Sequence, residues 1–558
     1  MLVYAGTRLQ YTQFSSDQPV KVTTWDALGY YYYLPALLIY HDVDDLKFIP
    51  EIDHKYQLSG GDFYQATRLP NGHYAGKYFV GVAILQAPFF LMAHALAPSL
   101  GFPADGFSAP YQLAIAWGAM LYVFLALLLL RRILLRYFSD PVVAFTLLLT
   151  LLATNAIQYI AIEGGQSHAY IFPLYVFIIY ATIRWHEAFR LRWLVMMVVV
   201  LGLASICRPT EAVMLFIPLL WDWPDKERRQ RKWQYLISHP FTWLIGGLSL
   251  VVAISPQLIY WKMVTDHWIY DVGSKWDFLN PHFRVLVGWE KGWFIYTPVT
   301  LLMCLGLWKL KKSSFSTAVI VFSLLNIYII IAWHIWRYGG SYSCRALVQS
   351  YPVWTFALAA LLTAIQQQWL KVVAIIVGIY LIAVNLFQVY QYNETILHYD
   401  HMNRSYYGAI YLNPHPTPLD YSLLDSAMIP SKSSKYQTQE LVSLTTEKII
   451  TPDSILYHQV SSVASKATWL FVHAEMTVHQ GLWDSYLVAR VQQAGQWHEQ
   501  KIRLFQPQAV EGKRRCYEFY LRLDETQPID QWQCQLKGNH QCKAILHELK
   551  IQALGSLP

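Results

Sequence analysis

The chain has 558 residues, 55% of them hydrophobic and only 14% charged. An average soluble domain carries about 25% charged residues, so the deficit excludes an ordinary water-soluble protein and points to the membrane class. The formal charge of +7 is distributed as short Lys/Arg clusters between apolar runs rather than as the concentrated basic face of a nucleic-acid binder, so nucleic acid is not an expected partner.

Residues 1–109 read as a first outer loop with juxtamembrane helices. Within it, Thr24-Trp25-Asp26-Ala27-Leu28-Gly29-Tyr30-Tyr31-Tyr32-Tyr33-Leu34-Pro35 sets one carboxylate ahead of an aromatic run. Such a run is expected at the interface, where a ring is half dry and half wet. Asp26 there suits a general base beside an acceptor hydroxyl, and equally a helix N-cap. The apolar run 78–98 follows Lys77-Tyr78 and contains Pro88 and His94. It reads as a helix lying on the outer face rather than a span.

A span needs about 20 apolar residues. Ten candidates follow at 110–130, 141–161, 168–184, 193–207, 210–221, 241–261, 293–308, 315–334, 346–366 and 371–390, which makes 110–390 the transmembrane helical domain. Basic residues cluster at Arg131, Arg132 and Arg136; at Arg184, Arg190 and Arg192; at Lys226, Arg228, Arg229, Arg231 and Lys232; at Lys309, Lys311 and Lys312; and at Lys371. Each cluster falls in an alternate loop, so all are expected in the cytoplasm. Residues 162–168, 208–210, 262–292, 335–345 and everything after 390 then face outward. Residues 1–75 would also be outside. Met1–Gly6 is too short for a signal peptide, so a hydrophobic helix encoded upstream is expected. The alternative is that 78–98 spans and the N-terminus is cytoplasmic.

Residues 391–439, rich in Tyr, Asn, Pro and Ser, form a connecting segment. From 440 to 558 the pattern changes to short alternating runs such as Tyr486-Leu487-Val488-Ala489-Arg490-Val491, which read as an external antiparallel β-sandwich. The six cysteines show no metal-type spacing. In an oxidising space Cys534 and Cys542 are candidates to pair.

Polar residues at outward helix ends mark function in a membrane protein. Glu163-Gly164-Gly165-Gln166-Ser167-His168 joins a Glu and a His through small residues, and is otherwise a simple hairpin turn. Arg208 stands at an outward helix end against the positive-inside bias, as do Arg337 and Arg345 within Trp333-His334-Ile335-Trp336-Arg337-Tyr338-Gly339-Gly340-Ser341-Tyr342-Ser343-Cys344-Arg345. Arg makes the forked hydrogen bonds that suit phosphate; the plainer account is snorkelling or an ion pair.

The order Asp26, then Lys77-Tyr78-Phe79-Val80-Gly81, then Arg131-Arg132 resembles the C-type glycosyltransferases. The likeness is greatest to bacterial relatives of the protein O-mannosyltransferases and the aminoarabinose transferase. It covers about residues 20–390. It departs from the family in having one acidic residue at Asp26 where the family has two, and Lys77-Tyr78-Phe79-Val80 in place of a Lys-Pro-Pro-Leu type stretch. The resemblance implies transfer of a sugar from a polyprenyl phosphate to a glycan, lipid or protein acceptor at the outer face of the bacterial cytoplasmic membrane. Asp26 and Glu163 would be catalytic, Lys77, Arg208, Arg337 and Arg345 would hold the donor phosphate, and Tyr30 and His168 would line the acceptor or sugar pocket. The scheme needs no cofactor beyond the lipid-linked sugar as substrate. It requires no metal, no ligand cluster in the sequence argues for one, and a divalent ion remains compatible with it. Two other readings stay open. One is a flippase of a lipid-linked sugar, which favours internal repeats that are not seen here. The other is a cell-surface polysaccharide polymerase or ligase, for which loop 262–292 with Asp266, Asp271 and Asp277 is a partial candidate.

Overall fold

The computed structural model describes residues 1–11, 20–311, 313–430, 436–463 and 467–556; Lys312 of the basic clusters lies outside them. The chain divides into two units, Met1–Leu386 and Phe387–Pro558. It is a polytopic α-helical membrane protein with a C-terminal domain of antiparallel sheets.

Four helices of the described chain are long and apolar enough to cross a bilayer: Ala109–Leu134, Phe241–Thr265, Arg345–Thr363 and Gln368–Asn393. Ala109–Leu134 leaves Leu121, Leu125 and Leu128 exposed along one stripe, and Phe241–Thr265 leaves Val251, Val252, Ile259 and Met263 exposed. Apolar surface of this kind is costly in water and natural against lipid. Ser167–Ala188 is buried along most of its length, from His168 to His186.

Several expected spans are shorter or broken. The 293–308 segment is two helices, Trp293–Tyr296 and Val299–Leu307, because Pro298 has no N–H for the ladder. The 141–161 segment ends its α-helix at Leu152 and resumes as a π turn over Gln158–Ile162. The freed carbonyls do not stay bare: Asn385 donates its amide to Leu152 O at 2.8 Å and to Thr154 O at 2.9 Å. Irregular backbone at membrane depth needs such internal partners. Segments 210–221 and 346–366 each begin with a 3₁₀ stretch, Pro209–Leu215 and Arg345–Ser350. The run 78–98 is the helix Gly81–Leu96, only 16 residues long.

The tyrosine run is not interfacial as the sequence suggests. Tyr30 to Tyr33 are all buried. The Tyr31 hydroxyl donates to Gly106 O and that of Tyr33 to Tyr78 O, while the rings of Tyr32 and Tyr33 stack at 4.3 Å. The neighbouring chain covers the rings: Gly76, in a small hairpin of β1 (Ala66–Arg68) and β2 (Tyr74–Gly76), lies against the Tyr32 and Tyr33 hydroxyls, and the Tyr32 hydroxyl is buried without a hydrogen-bond partner.

In the second unit, eight strands make two four-stranded antiparallel sheets. They are β3 (Tyr436–Ile450), β4 (Ile455–Val463), β5 (Ala467–Gln480), β6 (Ser485–Gln493), β7 (Gln496–Arg503), β8 (Arg514–Arg522), β9 (Ile529–Gly538) and β10 (Lys543–Ser556), in the orders β3-β10-β5-β8 and β4-β9-β6-β7. Alternate residues from both sheets share one core. Leu470, Val472, Ala474 and Met476 come from β5, Leu487, Ala489 and Val491 from β6, and Trp532, Cys534 and Leu536 from β9. Strand β10 changes phase: Leu546 and then Leu549 point inward, with a register shift between Leu546 and Glu548. The extra residue of this bulge turns His547 and Glu548 away from the core. Asp425 in the connecting segment accepts from the Arg503 backbone N–H and Nε, both at 2.8 Å. Cys534 and Cys542 are free thiols, not a pair.

Candidate functional site

Asp26 opens the helix Asp26–Tyr31, and the residue before it is strained. Trp25 has φ 53 and ψ −126, a conformation that a bulky residue adopts only when its surroundings enforce it, at about 1–3 kcal/mol. Its N–H donates to Leu58 O at 2.9 Å and its carbonyl accepts from Gln65 Nε2 at 3.0 Å. The Asp26 carboxylate does not cap the helix. It accepts from the hydroxyls of Tyr64 at 2.8 Å and Tyr78 at 2.5 Å, and pairs with the guanidinium of Arg345. Burial pushes the Asp26 carboxyl up, but Arg345 and the two hydroxyls outweigh it and hold it below the ordinary carboxylate value. The group therefore stays ionised in a site where only 21% of its side chain is exposed.

Two features place its partners. Gly29 leaves room for Tyr78: a Cβ there would stand 2.1 Å from the Tyr78 ring. Gly29→Ala should therefore cost about 1–3 kcal/mol by overpacking, read as a lowered melting temperature of the detergent-solubilised protein; an unchanged melt would mean the ring relaxes freely. Arg345 is delivered by the loop before it, where Tyr338, Gly339 and Ser343 all have positive φ. That loop is anchored by Tyr159, whose hydroxyl accepts from the Tyr342 N–H at 2.8 Å, and by Asn155, which donates to Tyr342 O at 3.3 Å.

Glu163 ends the π turn and accepts from Gln158 Nε2 at 2.9 Å. Burial raises its pKa, against the pull of Gln158, Arg345 and Lys291. It thus neighbours the Asp26–Arg345 pair, with the opposite tendency to Asp26. His168 is buried and shares a hydrogen bond of 2.8 Å with Gln349; Gln349 donates to Glu211 at 3.0 Å, and Tyr175 donates to the same Glu211 at 2.5 Å. This closed chain makes His168 part of the wall. Arg208, just past the helix Leu191–Cys207, lies close enough to act electrostatically on both His168 and Tyr30. Tyr30 packs edge-on to Tyr78 at 4.8 Å.

Lys77 is exposed, with its amine 5.9 Å from the centre of the Tyr64 ring, so it stands over a residue that binds Asp26. Arg337 is placed differently. It pairs with Glu290 at 3.1 Å, stacks over Trp336, and joins none of the hydrogen bonds around Asp26. One arm of its fork is therefore held by Glu290, while its buried Nε has no hydrogen-bond partner. Sequence reasoning missed Lys291, which is buried and donates to Ser341 O at 3.1 Å beside Glu163. The same positive-inside argument that flagged Arg208 would have found it in loop 262–292. It also missed Tyr64, which carries no signal in sequence, and Gln349.

The arrangement joins an ionised carboxylate, a buried carboxyl of raised pKa and several cations. It suits an anionic ligand with a nucleophilic hydroxyl held beside it. A separate cavity of about 640 Å³, lined by residues including Arg136, His186, Glu187, Asp222 and Arg228, shares no lining residue with this cluster. Several of its charges pair, Arg136 with Glu187 and Arg228 with Asp222 and Asp225.

Residues 107–261 match the family model described as dolichyl-phosphate-mannose-protein mannosyltransferase, which bears out the resemblance to the C-type glycosyltransferases. No curated protein matches the sequence. Among solved structures, ArnT from Cupriavidus metallidurans in the apo state is 12% identical at a TM-score of 0.41, covering 74% of this chain and 68% of that one. ArnT bound to undecaprenyl phosphate is 14% identical with the same score and coverage. The archaeal oligosaccharyltransferase AglB from Archaeoglobus fulgidus, in complex with an inhibitory peptide and a dolichol-phosphate, is 9% identical at 0.42, covering 73% of this chain and 56% of that one.

Proposed function

We propose that the protein transfers a sugar from a polyprenyl-phosphate donor to a hydroxyl-bearing acceptor at the outer face of the membrane. The observation that carries this reading is the Asp26–Arg345 pair, set among the Tyr64 and Tyr78 hydroxyls with Arg208, Lys77 and Lys291 nearby. The family match over 107–261 supports it.

The acceptor oxygen attacks the anomeric carbon. The bond from that carbon to the phosphate oxygen breaks, and polyprenyl phosphate leaves with the electron pair. Asp26, ionised and beside the nucleophile, orients the hydroxyl and receives its proton. Arg345, with Arg208 and Lys77, holds the phosphate, whose negative charge grows as the bond breaks; cations fixed in advance lower the barrier because they need not reorganise. When the phosphate engages Arg345, the guanidinium's hold on Asp26 weakens, which raises the carboxylate's basicity as the proton is about to move. Glu163, Tyr30 and the His168 wall shape the sugar side.

The test uses the purified full-length protein in liposomes with a labelled polyprenyl-phosphate sugar. Transfer releases polyprenyl phosphate and moves label to the acceptor. Movement of intact donor across the bilayer without cleavage would favour the flippase and overturn the transferase. The orientation is checked separately: reporter fusions at residue 232 should read as cytoplasmic, and fusions at 280 and 450 as external. A cytoplasmic signal at 450 would reverse it.

A further inference from the structure

On the outward face of the β3-β10-β5-β8 sheet, three potential metal ligands from two strands meet. His473 on β5 and Glu518 on β8 are directly opposed in the register, and Cys516 lies one pleat along β8. Alternate residues of these strands, Val472 and Ala474 on one side and Tyr517 and Phe519 on the other, fill the core. The three ligand-bearing side chains are thus forced to the same outer face. His473 Nδ1 lies 2.9 Å from Glu518 Oε1 and 3.5 Å from Cys516 Sγ, and Cys516 Sγ lies 3.8 Å from Glu518 Oε1. A tetrahedral zinc ion, with bonds of about 2.3 Å to sulfur and about 2.0–2.2 Å to nitrogen and oxygen, sets its ligand atoms about 3.4–3.6 Å apart. The two edges to sulfur are near these values, while the imidazole–carboxylate edge, a hydrogen-bond distance of 2.9 Å, would open by about half an ångström around the ion.

We propose that His473, Cys516 and Glu518 form a binding site for a divalent transition-metal ion of the zinc class, with the fourth position open to water. The donor set of thiolate, imidazole and carboxylate selects zinc-type ions over magnesium or calcium, which prefer all-oxygen shells. The β10 bulge supplies the outer support. It turns Glu548 toward the far ring nitrogen of His473, at 3.7 Å. That separation is ion-pair range rather than a hydrogen bond, and closing it when the metal binds would fix which imidazole nitrogen holds the ion. The ion would tie β5 to β8, which stands at the end of its sheet order.

The experiment uses the full-length protein in detergent, stripped with chelator and titrated with Co²⁺ alone. The expected result is one cobalt per chain with a sulfur-to-metal charge-transfer band in the near ultraviolet, displaced by Zn²⁺. Zn²⁺ should also slow alkylation of Cys516. Cys516→Ser should abolish the band, and Glu548→Gln should weaken binding by about 10–100-fold, the usual worth of an outer partner. Cys534→Ser, in the buried core of β9, should leave the band unchanged. The absence of a thiolate band in the wild-type protein, or its persistence in Cys516→Ser, overturns the proposal. Neither outcome depends on whether sugar transfer is observed.

Discussion

Replacing Asp26 by Asn should lower sugar transfer by about a hundredfold or more, the worth of a positioned base. Asn keeps the shape and an oxygen that accepts from Tyr64 and Tyr78. It cannot take a proton, and its amide faces Arg345 donor to donor. The helix-cap reading predicts the opposite, because Asn caps about as well as Asp. The change also leaves a guanidinium that is only 13% exposed without its counter-charge. Breaking such a pair typically costs about 3–5 kcal/mol, so a lower melting temperature is expected alongside. Insertion and monodispersity are therefore measured first, and transfer is read as loss of label from the lipid-linked donor at a temperature where the variant is folded. A variant that is folded and works at near wild-type rate removes Asp26 as the base and makes Glu163 the next candidate.

Arg345 should be equally sensitive, and for a separable reason. Arg345→Ala removes both the phosphate's cation and the partner of Asp26. A loss of about 10²–10³ in turnover is expected, as for removal of one preorganised donor. A second readout distinguishes the two roles. Burial raises the Asp26 carboxyl and Arg345 is the main influence lowering it, so without the guanidinium the carboxyl stays protonated to higher pH. The acidic limb of the residual pH profile should shift upward. Because the two residues touch, the double variant Asp26→Asn with Arg345→Ala should lose less than the sum of the singles. Full additivity, with no pH shift, would mean that Arg345 does not act on Asp26 during turnover.

Much of this protein follows from its sequence. The membrane class follows from the charge deficit, because a bilayer tolerates long apolar runs that water does not. The β-domain follows from period-two alternation after 440, since inward and outward residues of a strand must differ. Asp26, Glu163, Arg208 and Arg345 could be singled out because ionisable groups at outward helix ends are costly unless used.

Only the tertiary structure decided how these groups are joined. Asp26 and Arg345 are 319 positions apart, and no local pattern announces their pairing. Arg337 carried the same signal as Arg345 yet is engaged by Glu290, because which cation meets which carboxylate depends on where the loop's positive-φ residues turn it. The tyrosines at 30–33 looked interfacial, but packing against chain brought from 78, 106 and 260 buries them. The break in the 141–161 segment depends on Asn385 reaching back to Leu152 and Thr154, a long-range repair invisible to hydropathy. The His473, Cys516 and Glu518 triangle has no ligand spacing along the chain, since strand pairing rather than sequence proximity sets its edges. Sequence thus fixes which groups cannot be left idle in lipid or core, and the fold decides which of them meet, because ion pairs and ligand sets form between atoms a few ångströms apart in space, whatever their separation along the chain.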